Sequence, residues 1–154
     1  MTARIYVASS WRNTVQPEVV AALREDGHDV YDFKHPDGAE DGFHWSAVMP
    51  SYQRVGPGMP EQLADAYEYL NALDHPAADA GFANDFDAMK RSDACVLVLP
   101  CGRSAHLEAG WFIGQNRPTA ILLDGPSVTP ELMYKLAEFV ALDLDGIRAW
   151  AKQL

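Results

Sequence analysis

Apolar side chains recur along this chain in two rhythms that alternate at regular intervals. Arg4-Ile5-Tyr6-Val7-Ala8, Ser92-Asp93-Ala94-Cys95-Val96-Leu97-Val98-Leu99-Pro100 and Thr119-Ala120-Ile121-Leu122-Leu123 each hold a short, near-continuous apolar run. Bounded by Ser, Asp, Pro and Gly, they predict strands covered on both faces. Residues 28–33 alternate and predict another strand, second in chain order. Between the runs, apolar residues return every three or four positions. Val19, Val20, Ala22 and Leu23 predict a helix over 16–25, closed by Gly27 where a C-terminal cap favours glycine. Leu63, Ala66, Tyr67 and Leu70 predict one over 60–73, broken at His75-Pro76, and another follows over 78–91. After Pro100 and Gly102 a helical pattern carries Glu108 in its first turns. Thr129-Pro130-Glu131 predicts a helix reaching about Phe139, followed by a short fifth strand at Val140-Ala141-Leu142 and a last helix over 144–152.

Strands alternating with helices imply parallel pairing and crossover connections. The expected fold is α/β: a three-layer sandwich around a five-stranded parallel sheet in the flavodoxin-like order 2-1-3-4-5. Residues 1–154 are expected to form a single domain without internal repeats. Residues 34–60, rich in Pro and Gly, read as a long loop excursion. Its aromatics Phe43 and Trp45 suit either a lid over a ligand or cover for the excursion itself and a dimer contact.

Charge narrows the choice of partners. Of 154 residues, 12 are Lys or Arg against 22 Asp or Glu, a net charge of −10. Such a chain lacks the basic footprint of a nucleic-acid polymer binder and is repelled by anionic membrane surfaces. A small anion stays possible, because distant acids are screened over roughly 8–10 Å. Cys95 lies inside an apolar run and Cys101 in the following loop, so no disulfide framework is expected. The opening Met-Thr-Ala-Arg-Ile-Tyr-Val does not read as a signal peptide, and no apolar stretch has membrane-spanning length. The expectation is a soluble cytoplasmic protein.

Open α/β sheets bind ligands at the carboxyl ends of their strands, where the strand order reverses. Strands one and three are neighbours there. Tyr6 with the Ser9-Ser10-Trp11-Arg12-Asn13 loop should therefore share a crevice with the stretch from Gly102 to Glu108. Asn84-Asp85-Phe86-Asp87 lies in the helix before strand three. Helix N–H groups and the helix dipole are expected to keep Glu108 ionised, as a carboxylate nucleophile must be.

Tyr6 with Trp11 after it, Asn84-Asp85 followed by Asp93, and Glu108 within Leu-Glu-Ala-Gly together resemble the nucleoside 2-deoxyribosyltransferase family. The resemblance runs from strand one to strand four. It implies cleavage of the N-glycosidic bond of a nucleoside or nucleotide through a glycosyl-Glu108 intermediate. The sugar then passes to water or to a second base. By position, Tyr6 orients Glu108 and Asp85 handles the proton on the leaving base; paired carboxylates suit an oxocarbenium-like transition state. The transferases carry an Asp six residues before the nucleophile, where this chain has Gly102. The loop offers Arg103, Ser104 and His106 instead, donors suited to a 5′-phosphate, as in the hydrolase branch that cleaves nucleoside monophosphates. Ser9, Ser10, Trp11, Arg12, Gly102, Arg103, Ser104 and His106 are the expected substrate contacts. The resemblance implies no metal or organic cofactor and a homodimer or higher homo-oligomer.

Plainer roles compete at each position. Glu108 can serve the helix dipole, Asp85 can be a surface acid beside Asp79 and Asp87, and Tyr6 can be a core residue. Ser104 can be the helix N-cap and Asp93 a structural cap at strand three. His106 has no ligand-spaced partner for a metal. Cys101 with His106 is a weak candidate for a thiol nucleophile. Other functions on the same fold are a TIR-like NAD-cleaving enzyme and a non-catalytic nucleotide-binding module.

Overall fold

The computed structural model describes residues 1–37 and 39–154; Gly38, inside the expected excursion, lies outside the described residues. Strands β1 (Arg4–Ala8), β2 (Asp29–Asp32), β3 (Ala94–Val98), β4 (Thr119–Leu122) and β5 (Phe139–Ala141) form one sheet. All pairs are parallel and the order is β2-β1-β3-β4-β5, as the alternation of elements predicts. The helices are α1 (Gln16–Glu25), α2 (Ala66–Leu73), α3 (Pro76–Arg91), α4 (Arg103–Gly114) and α5 (Leu144–Ala151).

The apolar runs lack polar alternation because both faces of the sheet are covered. Ile5, Val7, Val30, Val96, Val98 and Leu122 face one way and meet Val19 and Leu23 of α1 with Ile147 and Trp150 of α5. Tyr6, Ala8, Tyr31, Cys95, Leu97 and Ile121 face the other way. They meet Ala88 and Met89 of α3 with Ala105, Ala109 and Phe112 of α4. The two aromatic strand residues that carry hydroxyls thus lie under the two helices that carry Asp85 and Glu108.

Local boundaries depart from the expected ones for identifiable reasons. The helix expected over 60–73 begins at Ala66, because Asp65 accepts hydrogen bonds from the Tyr67 and Glu68 amides and caps it there. His75 and Pro76 begin α3 as well as ending what precedes it: His75 accepts from the Ala77 amide, and Pro76 occupies a first-turn position where its missing N–H costs nothing. The helix expected over 129–139 is only a 3₁₀ turn at Leu132–Leu136. Phe139 instead pairs with Ala120 as the first residue of β5, so the chain is extended where the helix was expected to end.

The excursion is irregular apart from a 3₁₀ turn at Trp45–Ala47, but it is anchored. The Trp11 indole N–H donates to the Phe43 carbonyl at 3.1 Å, and its ring lies 3.9 Å from that of His44. A Cβ at Gly42 would sit 2.1 Å from the Phe33 carbonyl oxygen, and one at Gly81 of α3 would sit 2.7 Å from Phe43 Cβ. Both glycines are therefore required by close approach. Trp45 packs edge-on against Phe43 and against Tyr69 of α2.

Asn13 ties the site-bearing loops together. It is 1% exposed. Its Oδ1 accepts from the Val15 and Gln16 amides at 2.8 and 2.7 Å, starting α1. Its Nδ2 donates to the carbonyls of Val98 and Pro100 at 3.3 and 3.0 Å, holding the loop after β3. The buried Lys34 ammonium donates to the Asn13 carbonyl at 3.1 Å. No helix among the described residues is long and apolar enough to cross a membrane. Asn13→Ala leaves the buried Gln16 amide without its acceptor and frees the Pro100 carbonyl, while the Val98 carbonyl keeps Ser9, and should cost about 1–3 kcal/mol in urea unfolding. Asn13→Asp keeps the acceptor but sets a carboxylate against those carbonyls, and should be no better.

Candidate functional site

Tyr6 and Tyr31 are register partners on β1 and β2, and their rings stack with centroids 5.3 Å apart. Phe112 of α4 packs on the far side of Tyr6 at 5.7 Å. On this aromatic floor α3 sets Asp85 and α4 sets Glu108, both partly open to solvent. The Tyr31 hydroxyl donates to Asp85 Oδ1 at 2.8 Å. The Tyr6 hydroxyl is buried and makes no hydrogen bond of ordinary geometry, yet it stands close enough to Glu108 to favour the ionised form of that carboxyl. Glu108 forms no ion pair among the described residues.

The electrostatics differ from the expectation that the helix dipole keeps Glu108 ionised. The helix starts at Arg103, so Glu108 lies in the second turn, beyond the free amides. Burial dominates, and the nearby Asp85 charge adds to it; together they push the Glu108 pKa up to about 8. Burial also raises Asp85, to about 6, with the Tyr31 hydrogen bond opposing the rise. The two carboxyls titrate as a pair that holds one proton at neutral pH.

The remaining predicted residues divide into two groups. Ser9 Oγ donates to the Val98 carbonyl at 2.9 Å, and Ser10 Oγ accepts from the Arg12 amide at 3.1 Å. These bonds shape the loop after β1 and join it to the end of β3. Trp11 faces the excursion, as described above. Arg12 is half-buried and makes no ion pair among the described residues, and its charge reaches Cys101. Gly102, not Ser104, is the N-cap of α4, and a Cβ at Gly102 would meet nothing within 4 Å. Arg103 projects outward with its side chain 92% exposed, paired only loosely with Glu61 at 3.7 Å, and Ser104 is exposed beside it. Asp93 accepts from the Arg4 amide at 2.8 Å, the structural role expected of it.

His106 turns away from the carboxylates. Its Nδ1 lies 2.8 Å from the Gly102 carbonyl, which can only accept, so Nδ1 carries the proton. Its Nε2 therefore accepts from the Tyr134 hydroxyl, also at 2.8 Å. Cys101 Sγ is 3.7 Å from that protonated Nδ1, and burial pushes the thiol pKa up to about 12. A thiol held neutral beside a nitrogen that already bears its proton is not an activated nucleophile. No group of three or more His, Cys, Asp or Glu able to hold a metal occurs among the described residues.

Tyr31, Asn13 and Tyr134 are the residues that sequence reasoning passed over. For Tyr31 a signal existed: parallel pairing of the first two strands sets it beside Tyr6 on the same face. For Asn13, named only as part of the loop after strand one, a local signal existed in its place just before α1. Its bonds to the loop after β3 span 85 residues and more, and Tyr134 lies 28 residues from His106, so neither of those could be read.

No protein-family model and no curated protein matches the sequence. Solved structures do match in fold. A 2-deoxyribosyltransferase from the psychrotolerant bacterium Bacillus psychrosaccharolyticus superposes with a TM-score of 0.55 at 15% identity, covering 95% of this chain and 90% of that one. A CMP N-glycosidase from Clostridium botulinum superposes with a TM-score of 0.53 at 12% identity, covering 97% and 98%. The likeness covers nine-tenths or more of each chain.

Asp85→Asn removes the charge that faces Glu108. In a ¹³C-carboxyl NMR titration the Glu108 midpoint should fall below its value of about 8 in the unaltered protein. An unmoved midpoint would show that the two groups do not share a field.

Proposed function

We propose that this chain cleaves the N-glycosidic bond of a nucleoside or nucleoside 5′-monophosphate, with Glu108 as nucleophile and Asp85 as the group that manages the proton of the leaving base. The observation that carries the reading is the pair itself: two carboxyls of raised pKa from α3 and α4, above two stacked tyrosines on one face of the sheet. The fold shared with a deoxyribosyltransferase and a CMP N-glycosidase supports it.

Glu108 attacks the anomeric carbon as the C–N bond breaks, forming a glycosyl ester and releasing the base. Asp85 gives its proton to the departing base, and once ionised it accepts a proton from the water or second base that takes the sugar. Cleavage needs Glu108 ionised and Asp85 protonated. An acceptor atom of the seated base against Asp85 favours that arrangement of the single shared proton. The open position at Gly102 leaves room for the 5′ end of the substrate. The N-terminal amides of α4 and Arg12, which makes no ion pair among the described residues, suit a phosphate there, whereas Arg103, whose side chain is 92% exposed, suits it less. We also propose a homodimer or higher homo-oligomer, because Phe82, Leu107, Leu132, Met133 and Leu136 leave apolar surface uncovered.

Chromatography of the protein incubated with nucleosides, their monophosphates and NAD, with and without added free base, should show base release from a nucleoside or nucleotide. Glu108→Gln should reduce that release about 10³-fold or more. Base exchange only in the presence of a second base marks a transferase, and nicotinamide release marks the TIR-like alternative. If no base appears under any condition, the catalytic reading fails. Light scattering on a sizing column should give a mass of at least two chains.

The same substitution has a stability signature. Because the folded pKa of Glu108 lies above the unfolded value, folding favours the protonated carboxyl, and stability falls as pH rises from the unfolded pKa through about 8. Glu108→Gln removes that loss. Its thermal midpoint should exceed that of the unaltered protein at pH 8 and approach it near pH 5.

A further inference from the structure

Asp85 and Glu108 compete for one proton, and each faces a different tyrosine. Only one of the two phenols is engaged: Tyr31 donates to Asp85 Oδ1 at 2.8 Å, while the Tyr6 hydroxyl has no partner of ordinary geometry. Tyr31 cannot turn elsewhere cheaply. Its ring is 4% exposed and stacked on Tyr6 at an interplanar angle of 17°, and its backbone is paired with Tyr6 in the sheet. A phenol fixed in this way offers a hydrogen bond to one carboxylate and none to the other.

We propose that Tyr31 is a positioning residue that orders the two ionisations, so that Asp85 loses its proton first and Glu108 stays protonated, and therefore unreactive, until a base is seated. The proposal rests on the glycosidic reading for its function but not for its physics. A phenol O–H stabilises the carboxylate form of its acceptor, here Asp85, and the remaining proton then resides on Glu108. The charged and titratable groups facing the pair are Tyr6 from β1, Tyr31 from β2, Cys95 from β3 and Cys101 from the loop after β3, with each carboxyl facing the other from α3 and α4. Glu108 is raised further than Asp85, in keeping with this order. A base that offers Asp85 an acceptor atom draws a proton back onto Asp85, and Glu108 gives one up. The exchange leaves the total charge unchanged and exposes the nucleophile only when there is something to attack.

The test is Tyr31→Phe, which keeps the ring stack and removes only the donor. A thermal melt near that of the unaltered protein establishes that it folds. The ¹³C-carboxyl titration of Asp85 should move up by about one pH unit. Glu108 should titrate with the same alkaline midpoint, because its ionisation does not change the hydrogen bond at Asp85. In kcat/KM the acid limb should move up with Asp85 while the alkaline limb stays, so the bell narrows from one side. Tyr6→Phe should act on the other limb. An unmoved Asp85 titration, or equal movement of both limbs in Tyr31→Phe, overturns the proposal. An Asp85 shift in a protein that releases no base from any substrate upholds the ordering of the protons and refutes the glycosidic reading alone.

Discussion

The candidate site exists because one buried amide joins two strand ends. At the place where the strand order reverses, the chain leaves β1 and β3 in adjacent loops, and nothing in the sheet itself holds those loops together. Asn13 does so with both ends of its side chain. One end satisfies amides that begin α1, and the other satisfies carbonyls that the turn at Pro100 leaves unpaired. Buried polar groups without partners are costly, and these bonds satisfy groups at both loops at once. Ser9 and Lys34 add further bonds to the same knot. The start of α4 is fixed as a result, and with it the direction in which Glu108 projects.

Around that knot the protein keeps two acids in surroundings that hold their protons more tightly than water does. Their neighbours are aromatic rings and a thiol, not cations. A cation beside Glu108 would make a more stable fold and a poorer nucleophile. Arg4, Arg54, Arg117 and Arg148 spend their charge on structural partners far from the pair. The chain's large negative charge coexists with a carboxyl that holds its proton at pH 7, because burial and one close neighbour outweigh distant, screened charges.

Which parts were legible in the sequence follows from the range of the interactions involved. Strand order was legible because runs such as 94–98 are apolar on both faces, which only a covered parallel sheet explains. Tyr6, Asp85 and Glu108 were legible as a group because topology brings their elements to one face. The 3₁₀ turn at Leu132–Leu136 was not, since pairing across to Ala120 decided the fate of Phe139. Nor was the outward course of Arg103, because a loop cation and a ligand-facing cation read alike along the chain. The ionisation of Glu108 was misjudged for a geometric reason. A dipole acts within the first turn, and one further turn was enough to hand control to burial.

The excursion sits against α3 at Gly81, one turn before Asp85, and is clasped from the other side by the indole of Trp11. Its seat and the acid's pose are consequently one mechanical unit. A homologous loop of different length cannot be grafted between residues 34 and 60 as an interchangeable module unless it reproduces the backbone contact at Gly42 and the ring of Phe43. The inner stretch is bound to the helix it leans on, and neither can be remodelled without the other.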